Sequence, residues 1–372
     1  MRSRAIAVTV LTALVLAAAA AGSAGGRKVT LTLDWTPNPD HVGFYVARDA
    51  GLFAKAGLDV SIRAPSDPTA PLKLVAAGKS DLAVSYEQEL FFAAAKKLPV
   101  VAVAAVVPQP LNSIIAVEPS VRSVRDLAGR TIGITGVPSD YATLDTVLKH
   151  VGLTRKNVKI VNVGYNLLPA LLAHRVDAVL GVYRNVEGIQ LEQRGLHPTV
   201  IPVDRAGIPT YDELVLVASS SRLRSDPQYR ATVTRFVGAF LAGTALARRD
   251  PGRAIAILGH VTASEPTFLS RSTHATLALL AGTSGIGCLR VAQWRRFGQW
   301  MQAQSLLARA PSISSVVTTR YLPRRCATRS YRSPGRTASR TPHSTDTRAS
   351  RSAKTFEMPR LEPGVNVSPF NG

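Results

Sequence analysis

Between Val29 and Leu258 the chain alternates short apolar runs of strand character with stretches of helical periodicity. That alternation constrains the fold more than any other feature. The first set reads as strand 29–33, helix 41–50, strand 59–62, helix 71–77, strand 81–85, helix 87–96 and a buried strand 100–106. The second reads as strand 130–134, helix 140–150, strand 158–163, helix 167–174 and strand 178–182. A further apolar run at 212–217 precedes helices 227–249 and 251–258. Such a pattern predicts an α/β fold of mostly parallel sheets covered by helices on both faces. Residues 27–323 are enough for two lobes. Two crossing strands, near 111–117 and 212–218, would join a first lobe built from 27–115 and 214–323 to a second built from 116–213. A cleft between lobes is a favoured place for a small ligand. No short-period repeat suggests a solenoid.

The two ends read differently. Arg2 and Arg4 precede an apolar stretch, 5–21, and the small residues 21–26 follow, so 1–26 is expected to be a cleavable signal peptide. Ser23 stands where a lipoprotein would carry cysteine, which favours a soluble exported form over a lipid-anchored one. Cys288 and Cys326 are the whole cysteine complement, so neither a disulfide framework nor a cysteine metal site is expected. From Arg324 onward hydrophobic periodicity stops, and ten basic against three acidic residues give the segment 324–372 a charge of +7 out of the chain's +21. It cannot bury enough apolar surface to offset its ordering entropy and reads as a disordered basic extension, of the kind that out-of-frame translation past a stop near Pro323 would give. Only Tyr331 and Phe356 fall among its arginines, too few for a stacking platform, so the charge does not indicate nucleic-acid binding.

The segment Asp34-Trp35-Thr36-Pro37-Asn38-Pro39-Asp40-His41 sits where the first strand hands over to the first helix, with Asp40 placed to cap that helix. In open α/β sheets this junction lies at the carboxyl end of a strand, where ligands bind. The segment holds an aromatic ring, an amide, two turn-fixing prolines and an imidazole, with no nucleophile beside a base. It is a recognition loop. The nucleophile-elbow, zincin, phosphate-loop and dinucleotide motifs are missing from the mature chain, and its seven histidines are scattered without ligand spacing. A non-enzymatic protein without metal or cofactor is the expectation.

The loop, continued by Gly43-Phe44-Tyr45-Val46-Ala47, resembles the opening of the ThiY-type substrate-binding proteins of bacterial ABC importers. Matching stretches follow in order at 81–87, 110–113, 161–167, 176–179, 181–188 and 211–216, so the likeness runs from about Val29 to Pro323. The resemblance implies a two-lobe periplasmic-binding fold of type II. It also implies a monomer, exported to the periplasm or another extracytoplasmic space, that hands a small molecule to a permease and its ATPase. For that group the implied ligand is a formylated aminopyrimidine, a thiamin precursor. Trp35 and Tyr183 offer faces on which a heteroaromatic ring can stack, about 0.5–1.5 kcal/mol beyond area burial. Glu187 can accept from an exocyclic amine, and Asn38 can donate and accept at a ring edge. Tyr86 and Glu87 end another strand and are expected at the same cleft. His41 is read equally as a ligand contact or as a support for the loop. Asn112 and Ser113 are read as hinge residues. Ser139 and Asp140 open a helix after Gly136, with capping and the binding of an anion or formyl group both open.

Related binding proteins take riboflavin or sulfonates, which remain alternatives, and Arg184 could add a cation to the cleft. A fungal branch of the same superfamily makes the thiamin pyrimidine from pyridoxal phosphate and one of its own histidines. It carries a lysine and a histidine in the segment matching 81–89 and cysteines near the second crossing. This chain has neither feature there, and a Schiff base needs an amine, so the synthase reading is weak.

Overall fold

The computed structural model describes residues 26–324 apart from 283, together with 326. The expected signal peptide and basic tail otherwise lie outside the described residues. In chain order the strands are β1 (Arg27–Thr32), β2 (Leu58–Arg63), β3 (Leu82–Ser85), β4 (Val100–Val107), β5 (Asn112–Ala116), β6 (Thr131–Ile134), β7 (Lys159–Asn162), β8 (Ala178–Tyr183), β9 (Thr199–Pro202) and β10 (Leu214–Ser219). The helices that frame the site are α1 (Val42–Asp49), α2 (Glu87–Ala95), α3 (Pro138–His150), α4 (Leu167–Leu172), α5 (Pro227–Arg249), α6 (Pro251–Thr262), α7 (Pro266–Leu279) and α8 (Val291–Ala303).

Two five-stranded sheets result, ordered β2-β1-β3-β10-β4 and β7-β6-β8-β5-β9. In each sheet four strands point one way and one runs against its neighbours: β10 lies antiparallel to β3 and β4, and β5 antiparallel to β8 and β9. The reversed strands are those expected to cross between lobes. The chain leaves the first sheet after β4, enters the second through β5, and returns through β10. A segment arriving from the other sheet comes from the opposite end to one delivered by a covering helix, so it runs in the opposite sense. The sheets are therefore mixed, with half of the strand pairings parallel.

Burial explains the composition of the central strands. Every residue of β4 (Val-Val-Ala-Val-Ala-Ala-Val-Val) and of β10 is buried, as expected where helices cover both faces. On one face of the first sheet Phe44 of α1 stacks on Phe240 at 4.3 Å, and Phe53, from the short helix Leu52–Lys55 that follows, on Phe236 at 4.7 Å, tying both to the long helix α5. The two helices meet at glycines. A Cβ on Gly243 would come within 2.4 Å of the Gly43 carbonyl oxygen, and one on Gly43 within 2.1 Å of the Thr244 hydroxyl. This close approach sets the position of α1, and with it the recognition loop that precedes it.

Two expectations need correction. Asp40 does not cap α1. Asn38 instead caps a short 3-10 turn, Pro39–His41, its Oδ1 accepting from the Asp40 N–H at 2.8 Å. The two cysteines, from which no disulfide framework was expected, form a disulfide between Cys288 and Cys326, 38 residues apart with their Cα atoms 5.1 Å from each other. Tertiary contacts bring them together: the Ala105 N–H donates to the Gly287 carbonyl at 3.0 Å, and the Thr318 N–H to the Ala102 carbonyl at 2.9 Å. Both segments therefore line β4. The described residues beyond Pro323 are Arg324 and Cys326. Among the described residues no helix is long and apolar enough to cross a membrane.

Candidate functional site

The loop 34–41, expected to be a recognition loop, is organised by Asp34, just past the carboxyl end of β1. Its carboxylate is buried and binds two groups: His41 Nε2 lies 2.8 Å from Oδ1, and the Tyr86 hydroxyl donates to Oδ2 at 3.1 Å. The Asn38 N–H donates to His41 Nδ1 at 3.3 Å, so the proton sits on Nε2 and is donated to Asp34. Fully buried and with both nitrogens engaged, His41 supports the loop. Asp40 points to the second sheet's side. Its Oδ1 accepts from Asn185 Nδ2 at 2.7 Å and from the Thr276 hydroxyl at 3.3 Å, while Asp40 Oδ2 and Asn185 Oδ1 have no protein partner. Burial, opposed by the neighbouring His41 and Asn185, raises the Asp40 carboxyl to about 6.

An inner cavity of about 20 Å³ lies where the strand ends of the two sheets converge, lined by Tyr86, Asn112, Ser139, Asp140, Tyr183 and Glu213 among others. That volume suits a water molecule and no larger ligand. Helix α3 is positioned by Asp140, whose Oδ2 accepts from the Thr135 and Gly136 N–H groups at 2.8 and 3.0 Å and from the Thr135 hydroxyl at 2.5 Å. Desolvation outweighs these bonds and lifts the Asp140 carboxyl to about 7. The Ser139 N–H donates to Glu89 at 2.7 Å, and the Thr143 hydroxyl to Gln88 at 3.2 Å, so the start of α3 is tied to α2 of the first sheet. Glu213 does the same for the crossings. Its Oε2 accepts from the Leu111 N–H at 2.6 Å, the Asn112 N–H at 2.8 Å and the Tyr211 hydroxyl at 3.0 Å.

An outer cavity of about 270 Å³ is lined by Trp35, Asn38, Tyr165, Leu167, Glu187 and Phe268 among others. None of the described residues lining it carries a positive charge, and Arg184 lines neither cavity. Trp35 meets Tyr165 edge-on, centroids 4.3 Å apart. Glu187 follows β8, and its Oε2 accepts from the Tyr183 N–H at 2.8 Å. Burial raises its carboxyl to about 7, that hydrogen bond opposing the shift. Asn38 shows its amide to the cavity, but Oδ1 is engaged by Asp40 and Nδ2 donates to the Thr36 carbonyl at 3.2 Å.

The residues singled out in the sequence thus divide three ways. Trp35, Asn38 and Glu187 share the outer cavity; Tyr86, Ser139, Asp140 and Tyr183 share the inner one; His41 and Glu87 line neither. Glu87, expected at the cleft, is buried, and its Oε2 accepts from the Asp212 N–H at 2.7 Å. Asp212 in turn accepts from the indole of Trp294 in α8 at 2.7 Å. Four participants were missed: Asp34, Tyr165, Asn185 and Glu213. Each lies within one of the motifs that carry the family likeness, which was the available signal.

Two mixed sheets, each with one reversed strand and joined by two crossings, with polar cavities between their strand ends, make up the periplasmic-binding-protein fold. The alkanesulfonate-binding protein SsuA from Xanthomonas axonopodis pv. citri, solved bound to MOPS, has that fold. It superposes with a TM-score of 0.63 at 18% identity, over 80% of this chain and 99% of that one. The NMT1/THI5-like family matches residues 38–254, more than half of the chain, and the chain belongs to that family. It is 42% identical over 196 residues to a protein of Haemophilus influenzae named putative thiamine biosynthesis protein, covering 52% of this chain and 62% of that one. It is 38% identical over 232 residues to the formylaminopyrimidine-binding protein of Halalkalibacterium halodurans, covering 62% and 69%. A 4-amino-5-hydroxymethyl-2-methylpyrimidine phosphate synthase of Uromyces fabae is 29% identical over 168 residues, covering 45% and 49%.

Proposed function

We propose that this protein is the extracytoplasmic solute-binding component of an ABC importer and takes a formylaminopyrimidine, a thiamin precursor. The observation that carries the reading is the outer cavity: an indole face at Trp35, a carboxyl at Glu187 and no cation among the described lining residues. A ring with an exocyclic amine finds a stacking surface and an acceptor there. A sulfonate would find nothing to neutralise it beside Glu187. The name of the Halalkalibacterium halodurans relative points the same way.

In this reading the two sheets are the cores of two lobes, first-lobe strands coming from 27–107 and 214–219 and second-lobe strands from 112–202. The lobes close about the segments at 107–112 and 202–214, and closure shields the ring from water. Trp35 and Glu187 hold the ligand in the outer cavity with Asn38 beside them; Tyr86, Ser139, Asp140 and Tyr183 line the smaller inner cavity; His41 and Glu87 support from behind. The Cys288–Cys326 disulfide suits an oxidising compartment outside the cytoplasm. Partners are a membrane permease and its ATPase. A pyridoxal-phosphate-consuming synthase is disfavoured, because segment 81–89 offers no lysine or histidine.

Calorimetric titration of the protein lacking residues 1–26 tests this. Formylaminopyrimidine should bind and an alkanesulfonate should not. Preferential binding of a sulfonate or of riboflavin would remove the pyrimidine assignment and leave the importer class.

A further inference from the structure

Tyr165 stands in the tight turn between β7 and α4. The turn is closed by the Asn166 N–H donating to the Val163 carbonyl at 3.0 Å and by the Gly164 N–H donating to Asn162 Oδ1 at 3.0 Å. The ring therefore projects from a fixed backbone. Its edge-on contact with Trp35 joins the second sheet's side of the outer cavity to the first. Packing alone would be served by phenylalanine. The Tyr165 hydroxyl is nevertheless buried and has no hydrogen-bond partner within the protein. A buried polar group without a partner calls for an explanation, and in the wall of a ligand-sized cavity the plainest is a partner supplied by the ligand.

We propose that Tyr165 is a specificity-determining residue of the outer cavity, its hydroxyl donating a hydrogen bond to an acceptor on a heteroaromatic ligand whose ring lies against Trp35. This rests on the importer reading above and adds a residue and a chemical requirement to it. Burial and the nearby Asp34 and Asp67 carboxylates raise the phenol further above its ordinary value, so it remains a donor throughout the physiological range. The ligand must therefore present an acceptor, a ring nitrogen or a carbonyl oxygen, towards Tyr165, and an amine towards Glu187. A donor on one wall and an acceptor on another select for a ring bearing both groups. A buried polar group left unpaired rejects ligands that lack its complement more strongly than an apolar wall rejects a poor fit.

The test is titration of wild type and Tyr165→Phe with formylaminopyrimidine, riboflavin and an alkanesulfonate, with thermal melts of both proteins without ligand. The substitution keeps the ring and removes only the hydroxyl. Wild type should bind formylaminopyrimidine, Tyr165→Phe should bind it at least tenfold more weakly, and the two melting temperatures should coincide. Equal affinity in both proteins would overturn the assignment of Tyr165 while leaving the function standing. A lower melting temperature for Tyr165→Phe would also overturn it, because the hydroxyl would then have a partner in the unliganded protein. If wild type bound none of the three compounds, the functional reading and this inference would fall together.

Discussion

Trp35 is half-buried, held by the edge of Tyr165 on one side and open to the outer cavity on the other. Its removal should therefore cost binding far more than folding. Trp35→Ala is expected to weaken ligand binding at least tenfold, about 1.4 kcal/mol, while lowering stability only slightly. Glu187→Gln should weaken binding by a similar factor, because a neutral amide accepts a weaker hydrogen bond from an amine than a carboxylate does. Calorimetry with a melt of each variant decides: wild-type affinity in both would show that the ligand lies elsewhere. Position along the chain singled out Trp35 and Glu187, one just past the end of β1 and the other four residues beyond the end of β8. Side-chain direction was not legible in the same way. Glu87 and Gln88 are neighbours at the start of α2, yet successive helical residues face different ways, and Gln88 reaches the inner cavity while Glu87 turns to Asp212. Nothing in the order Tyr-Glu-Gln-Glu says which of the three acids and amides meets the cleft.

Among elements, the two crossings matter most to function. Because Glu213 accepts from both Leu111 and Asn112 N–H groups, the outgoing and returning segments are joined by one buried carboxylate. Glu213→Ala leaves two buried backbone donors unpaired, and each costs about 1–3 kcal/mol. Denaturant unfolding should therefore show a loss of several kcal/mol, and an unchanged midpoint would mean that water replaces the carboxylate there. Most strands and early helices follow from periodicity, and helix 227–249 agrees with its expected bounds. The later helices α7 and α8 were not foreseen. Their roles are tertiary: α7 presents Thr276 to Asp40, and α8 presents Trp294 to Asp212. The antiparallel sense of β5 and β10 likewise lies in the connection between sheets, and no strand's own composition encodes it.

For the whole molecule, the meeting of the two sheets' strand ends gathers buried acids in one place. Burial raises the carboxyls of Asp40 to about 6 and of Asp140, Glu187 and Glu213 to about 7. The sign follows from linkage. Between the ordinary carboxylate value, about 4, and these raised values the folded state binds more protons than the unfolded chain, so stability falls as pH rises through that window. Thermal melts should give a higher melting temperature near pH 5 than near pH 8. The opposite order would show that these groups stay ionised in the folded protein. Alternation of apolar runs, the proline-bounded loop after the first strand and the spacing of two crossing segments were enough to determine an α/β chain of two sheets with a turn-fixed loop at a strand end, because periodicity and turn chemistry are local. Only the tertiary structure decided which acids are buried against each other, that Cys288 meets Cys326 across β4, and that Tyr165 faces Trp35. Those outcomes depend on residues far apart in the chain arriving at one place, and pairing at a distance leaves no local trace in a single sequence.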